Sequence, residues 1–367
     1  MSTAVPKASE TTRAEVKEST DKNLTSQPSN GVQSAPPEVL LTQMITGSLL
    51  AQAVYVAAKL GIADLLADGP KSVGDLASAA GADAPSLYRV LRALASCGIF
   101  TEQDDQVFDS TPAATLLRSD SPGSLRDLAI FMGEDWHWQV WGHTLYSVRT
   151  GKPAWKQVHG EDVFLYFAAN PEASEIFNRA MTSLSNLAIK AVVEAYDFSG
   201  IATLVDIAGG HGSLLTSILN ANPFLRGVLF DVPHVIEGAK ENAAIKALSS
   251  RCDLTTGDFF VSVPAGADGY IMKHIIHDWD DERGLQILSN IRQVMKSNAR
   301  VLLVETVISA GNQQDFGKVL DIEMLVSPGG KERTAAEYKD LFARAGLSLT
   351  SIVPTKSPYS IIEARAA

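Results

Sequence analysis

Beyond Gly200 the chain alternates short apolar runs with amphipathic stretches, and this rhythm constrains its fold more than any other feature. Ala202 to Ala208, Arg226 to Asp231, Cys252 to Thr255, Gly269 to Lys273 and Arg300 to Glu305 read as strands. Ser213 to Asn222, His234 to Ala247, Asp281 to Met295 and Ala335 to Ala345 read as helices. Strands too apolar to keep a wet face must be covered on both sides, and crossover helices do this for parallel neighbours. The expectation is an α/β fold with a doubly wound, Rossmann-like parallel sheet. Two last runs, Leu347 to Val353 and Tyr359 to Arg365, are close enough to pair as an antiparallel hairpin on its edge.

Upstream the patterning is helical. Met1 to Pro37 is rich in Ser, Thr, Ala and Pro without an apolar h-region, and reads as a disordered tail rather than a signal peptide. Leu49 to Ala67 is apolar, but Lys59 and Asp64 interrupt it and Gly61 falls within it, so a packed helix ending near Gly61 is expected, not a membrane span. Ser72 to Ala77 reads as a capped helix that Gly81 ends, and Ser86 to Cys97 carries Leu87, Val90, Leu91 and Leu94 on one face. Gly98 to Phe100 and Val107-Phe108, around a polar turn, complete a winged-helix-like pattern. Between Ser72 and Arg118 three arginines face six acidic residues, and phosphate contact needs a basic face, so packing or dimerisation is favoured over DNA readout. The middle segment, Leu125 to Tyr196, holds four of the five tryptophans, including Trp136 and Trp141. Such aromatics either pack between domains or line a flat apolar pocket, and both readings stand. The expected division is a tail (1–37), a winged-helix-like dimerisation domain (38–120), a helical linker and pocket region (121–196) and a cofactor-binding domain (197–367).

Composition narrows the partners. With 31 Lys and Arg against 42 Asp and Glu the net charge is −11, which disfavours nucleic acid as a partner. Two cysteines, Cys97 and Cys252, permit neither a disulfide framework nor a four-cysteine zinc site, and a cytoplasmic location is expected.

In open α/β sheets ligands bind beyond the carboxyl ends of the strands. The expected strands place Asp206, Asp231, Asp258, His277 and Glu305 there, and Ala208, Gly209, Gly210, His211 and Gly212 follow the first. A dinucleotide fingerprint needs a third glycine where Leu215 stands, so a nicotinamide cofactor is disfavoured. An acid ahead of a small-residue loop suits a ligand with an ammonium and no phosphate. Asp231, 25 residues after Asp206, is placed to accept from ribose hydroxyls. S-adenosylmethionine is such a ligand. A metal site at His274, His277, Asp278 and Asp280 is disfavoured, because a His-x-x-His pair across a strand end points its rings apart.

Five segments in order, Leu204 to Gly212, Phe230 to Ile236, Gly257 to Phe260, Met272 to Glu282 and Pro328 to Thr334, resemble the class I small-molecule O-methyltransferases of the caffeic acid and hydroxyindole type, bacterial natural-product members included. The resemblance runs from about Glu38 to Arg365. It implies a homodimer and a metal-independent transfer from S-adenosylmethionine, leaving S-adenosylhomocysteine, to a hydroxyl of a small aromatic or polyketide-like acceptor. By position it implies Asp231 at the ribose, Asp258 and Phe259 at the adenine, and Lys273 and Ser185 at the methionine end. It further implies His277 as catalytic base bracketed by Glu305 and Glu332, with Met181, Met324 and Asp278 beside the acceptor. Ala208 departs from the usual run of three glycines, and a positive φ there would cost stability. Two rival readings are a DNA-binding regulator that senses a small molecule, and an enzyme of the same fold turned to decarboxylation, hydroxylation or cyclisation.

Overall fold

The computed structural model describes residues 36–367, with the main chain alone at 186 and 187. The tail expected over Met1 to Pro37 lies outside the described residues except for its last two. The chain divides into two compact units, Met1–Gly47 and Ser48–Ala367. The described part of the first is the opening of helix α1 (Pro37–Lys59), where Leu41, Met44 and Ile45 are exposed. This helix is longer than expected, and by length and composition it could cross a bilayer. Gly61, in the left-handed region at φ 66°, ends it as anticipated.

The second unit continues with α2 (Ile62–Leu65), β1 (Lys71–Ser72), α3 (Val73–Ala80), α4 (Ala84–Ser96), β2 (Phe100–Gln103) and β3 (Val107–Ser110). Ser72 and Asp83 cap α3 and α4 by accepting from the amides three residues on. The strands run antiparallel in the order β1-β3-β2. Leu76, Leu87, Leu91, Leu94, Phe100 and Phe108 are fully buried between helices and strands. Short helices follow: α5 (Pro112–Thr115), α6 (Arg126–Gly133), α7 (Asp135–Trp141), α8 (Thr144–Thr150), α9 (Ala154–His159) and α10 (Val163–Ala169), then the long α11 (Pro171–Ala195). Trp155, 1% exposed, is their centre, with Trp136, Tyr166 and Phe167 edge-on at centroid distances of 5.5 to 6.0 Å.

The remaining elements are β4 (Thr203–Ile207), α12 (Ser213–Ala221), β5 (Arg226–Asp231), α13 (Pro233–Lys240), α14 (Ala243–Ala247), β6 (Cys252–Thr256), β7 (Gly269–Lys273), α15 (Asp281–Val294), β8 (Arg300–Glu305), β9 (Val307–Ile308), α16 (Phe316–Val326), β10 (Arg333–Thr334), α17 (Ala335–Arg344), β11 (Leu347–Pro354) and β12 (Ser360–Ala366). The seven-stranded sheet has the order β11-β12-β8-β7-β4-β5-β6; β4 to β8 are parallel and the β11–β12 hairpin closes the edge antiparallel. The strands expected in this sheet hold to within a residue, whereas the wing strand expected over Gly98 to Phe100 is Phe100–Gln103 and its partner runs on from Phe108 to Ser110. The single helix expected over His234 to Ala247 is two, because Asn242 leaves the helical path and caps α14. Helix α16 and the two-residue β9–β10 pair carried no signal that was read from the sequence.

Residues of period two sort onto the two faces of the sheet. Leu204, Leu229, Ile271, Leu302 and Val304 pack with α11 to α14 on one face, while Val205, Ile207, Tyr270, Met272, Val301 and Leu303 pack with α15 and α17 on the other. Truncating one such fully buried Leu or Ile to Ala costs ~2 to 5 kcal/mol. The same alternation turns Asp206 inward beside Leu204, where it is 1% exposed.

Candidate active site

The loop after β4 is shaped by what it cannot hold. A Cβ on Gly209 would lie 2.5 Å from Leu229 and 2.6 Å from the Asp206 carboxyl, and Gly210 and Gly212 take φ of 58° and 81°. Ala208 takes φ 53°, so this alanine pays the cost of the left-handed region, ~1 to 2 kcal/mol. Its amide donates to the Phe230 carbonyl (2.8 Å), tying the loop to β5. At the end of β5 the Asp231 carboxylate accepts from the amides of Gly210 (2.9 Å) and Val232 (2.7 Å), which fixes its rotamer and leaves further lone pairs free.

Beneath the loop Asp206 is anomalous. Its Oδ2 is buried with no hydrogen-bond partner, and burial pushes the carboxyl up to about 7, with Lys273 pulling down and Asp231 pushing up. Burial likewise lowers the Lys273 ammonium, at the end of β7, against the pull of Asp206 and Glu305. A buried acid with one oxygen unpartnered, beside a loop with no room for a side chain at Gly209 or Gly212, fits a ligand bearing an ammonium group. Asp258 is exposed after β6 and accepts from the Phe260 amide (2.8 Å). Phe259 is half-buried, 4.7 Å from Phe260 and 6.3 Å from Trp279, and its carbonyl is held by Asn290. Ser185 is half-buried on α11.

After β7 the chain makes one 3-10 turn, Ile276–Asp278, carrying His277. Four features clamp it. Glu305 Oε1 accepts from the amides of Ile275 (3.0 Å) and Ile276 (2.9 Å). The fully buried Arg333 donates to the carbonyls of Ile276 and Trp279 while paired with Asp281. Lys331 donates its amide to the His277 carbonyl (2.9 Å). A Cβ on Gly330 would stand 1.9 Å from that carbonyl oxygen, so only glycine fits there.

The His277 ring is itself held. Its Nδ1 lies 2.6 Å from Glu332 Oε1 and 3.6 Å from Glu305 Oε2, while Nε2 lies 3.6 Å from Asp278 Oδ1. The donor atoms of His277, Glu305 and Glu332 fall within 4.8 Å of one another. Burial opposes the imidazolium, but Glu305, Asp278 and Glu332 outweigh it and push His277 up to about 10. Burial raises Glu305 to about 7 and Asp278 to about 6, each pulled back by His277. His274, tilted 32° to His277 at 5.5 Å, is in the left-handed region at φ 56°, and burial drives it well below its ordinary value.

A cavity of about 300 Å³ opens beside this turn, lined by Trp155, Phe164, Asp278, Trp279, Arg283 and Ser327 among others. Of the expected acceptor residues only Asp278 is on its wall. Met324 on α16 is buried, and Trp136 is occupied in the aromatic core with Phe131, Trp155 and Phe167. Trp141 and Met181 are half-buried at the edge of that core. The Trp141 indole N–H donates to Glu323 Oε2 (2.6 Å), and Glu323 Oε1 takes His137 (3.1 Å) and Ser327 (2.6 Å). Burial resists the Glu323 carboxylate, but these partners hold it below the usual range. The sequence did not single out His137, Glu323, Thr306 or Arg333, because their partners lie 26 to 186 residues away.

Residues 141–348 match the O-methyltransferase domain, and residues 42–120 the O-methyltransferase dimerisation domain. The chain is 47% identical over 336 residues to the phenazine O-methyltransferase PhzM of Lysobacter antibioticus, covering 92% of this chain and 98% of the relative. It is 37% identical to the mitomycin biosynthesis 6-O-methyltransferase of Streptomyces lavendulae, covering 91% and 96%. Among solved structures, NcsB1 from neocarzinostatin biosynthesis, in complex with S-adenosylmethionine and 2-hydroxy-5-methyl naphthoic acid, superposes with a TM-score of 0.75 at 33% identity over 86% of this chain and 96% of that one. The chain therefore belongs to the S-adenosylmethionine-dependent O-methyltransferase family.

Proposed function

We propose that this O-methyltransferase methylates a hydroxyl of a small fused aromatic acceptor, with His277 as general base. The observation that carries the reading is the His277 ring, buried, locked through Nδ1 onto Glu332, and left with Nε2 for a ligand. S-adenosylmethionine supplies, when bound, a methyl already activated on a cationic sulfur. The protein then has only to hold the acceptor oxygen in line and take its proton. Nε2 accepts that proton, and Glu332 and Glu305 stabilise the imidazolium that results. Asp231 is assigned to the ribose, Asp258 and Phe259 to the adenine, and Asp206, Lys273 and Ser185 to the methionine end. The cradle of Ala208, Gly209 and Gly210 lets the main chain approach the ligand.

Acceptor class follows from the site and the relatives together. Trp155, Phe164 and Trp279 give the cavity an aromatic wall, with Lys156, Asp162, Asp280 and Arg283 also lining it, and the relatives' names specify phenazine and naphthoic acid. Asp278, on the cavity wall, is assigned to the reacting oxygen, and Met324, Met181, Trp141 and Trp136 are assigned to the acceptor side although none of them lines this cavity. The domain division at 37, 120 and 196 belongs to the same reading. So does a homodimer, in which a second copy covers the exposed apolar side chains of α1, and so does a cytoplasmic setting for the free thiols Cys97 and Cys252. Incubation with labelled S-adenosylmethionine and a panel of hydroxylated phenazines, naphthoates and monocyclic phenols tests the function. Transfer to the oxygen of a fused acceptor is expected, and transfer to none of the panel would overturn the reading. Light scattering at twice 39.2 kDa is expected of the dimer, and a monomer at micromolar concentration would refute it.

A further inference from the structure

We propose that Thr306 is a positioning residue of the proton transfer, its hydroxyl holding Glu332 in the one orientation that presents Oε1 to Nδ1 of His277. The inference rests on the reading of His277 as base. Thr306 is the residue after β8 and is 1% exposed. The parallel pairing of Val307 with Arg333 and of Ile308 with Thr334 brings the preceding residues, Thr306 and Glu332, side by side although they are 26 apart in the chain. There the Thr306 hydroxyl donates to Glu332 Oε2.

The orientation is set because each carboxylate oxygen has its own donor, Thr306 on Oε2 and His277 on Oε1. A carboxylate only accepts, so the threonine must give its one proton to Glu332. The threonine has little freedom to do otherwise. Its carbonyl takes the Tyr338 hydroxyl (3.3 Å), its β-branched side chain is stiff at χ1, and a Cβ at Gly317 would stand only 3.3 Å from it. The Glu332 amide donates to Asp321 (2.8 Å), so that residue is anchored at its backbone as well.

Glu305 makes the contrast. Its Oε1 is fixed by two main-chain amides, its Oε2 has no partner, and it stands 3.6 Å from Nδ1. Glu305 is therefore placed by the backbone, whereas the glutamate that bonds the ring is placed by a side chain. Removing the hydroxyl leaves one oxygen of a fully buried carboxylate without a partner. Glu332 is then free to turn, and its hold on the Nδ1 proton weakens.

The test is Thr306→Val, which keeps the shape and removes the donor, beside Thr306→Ser, which keeps the donor. The groups facing His277 and its glutamates are Asp278, Glu305, Glu332, His274 and Lys273, with Asp321, Tyr338 and Tyr359 beyond them. Valine alters only the Glu332 contact among these. Expected for Thr306→Val are unchanged S-adenosylhomocysteine affinity by calorimetry and a kcat lower by roughly 10- to 100-fold, less than the ~10² to 10⁴ of losing the base. The rising limb of kcat/KM moves to lower pH, because Glu332 is one of the charges that raise His277. Serine restores both rate and limb, and in a Glu332→Gln background the valine has no further effect. Wild-type turnover with an unmoved limb in Thr306→Val, or an equal loss in the serine variant, overturns the proposal. If His277→Ala also keeps full turnover the base reading has failed; if His277→Ala is impaired, only the role of Thr306 has.

Discussion

Replacing His277 by Ala probes the arrangement most directly, and the site sets the size of the effect. An ordinary phenol ionises near pH ~10 and an unperturbed imidazolium near ~6.5, so handing the proton to a free imidazole is uphill by ~5 kcal/mol. In the protein Glu305, Asp278 and Glu332 overcome burial and move His277 from 6.5 to about 10. Proton transfer from the phenol to neutral His277 is therefore much less uphill than to a free imidazole. The same shift keeps a proton on His277 in the free enzyme at neutral pH. Neutral histidine with phenol and imidazolium with phenolate are the same ionisation state, so kcat/KM should rise about tenfold per pH unit to a maximum near pH 10, where the phenol begins to ionise by itself. For His277→Ala the expected loss in kcat is ~10² to 10⁴ on an ordinary phenol. The assay is turnover with two acceptors of matched shape, one a plain phenol and one carrying a nitro group that ionises it near neutrality. The deficit should nearly vanish for the second, because its proton has already left. Equal deficits for both acceptors, or near-full turnover of the mutant on the plain phenol, would refute proton abstraction by His277.

Asp231→Ala should weaken S-adenosylhomocysteine binding by roughly 10- to 100-fold, as expected for ~1.5 to 3 kcal/mol of hydrogen bonding to a charged group; unchanged affinity in calorimetry would remove Asp231 from the site. Burial raises the folded-state values of Asp206 and Glu305 to about 7, above those of the unfolded chain, so their contribution to stability is complete below pH ~4 and fades as pH rises toward 7. The melting temperature of the ligand-free protein should therefore fall between pH 5 and pH 8, and Asp206→Asn should flatten that slope. Ala208→Gly relieves a φ of 53°, worth ~1 to 2 kcal/mol, against ~0.4 to 1 kcal/mol of added freedom in the unfolded chain. Denaturant melts should show it slightly more stable than the wild type, and a loss of stability would mean the left-handed alanine is not strained.

Much of the molecule was written locally. Strand identity in β5, β7 and β8 follows from short apolar runs such as Val301 to Val304, and the cap at Ser72 from a single side chain acting three residues away. The carboxyl ends of such strands meet on one rim by topology alone, so Asp206, Asp231 and His277 could be named in advance. Partners across the fold were a different matter. That the His277 ring bonds Glu332 more closely than Glu305, that Thr306 holds Glu332, and that Arg333 braces the turn all depend on the β9–β10 pair, whose strands have two residues each and no periodicity to read. Trp136 and Trp141 show the same limit, since an aromatic at helical spacing is equally suited to core and cavity until its neighbours are known. Here Trp136 faces other rings and Trp141 spends its N–H on Glu323. The sequence determined most strands and helices of the sheet domain and the residues on its rim, because propensity, capping and period act over a few residues. Tertiary structure decided which charge sits against which, because burial and hydrogen-bond geometry exist only once distant segments pack.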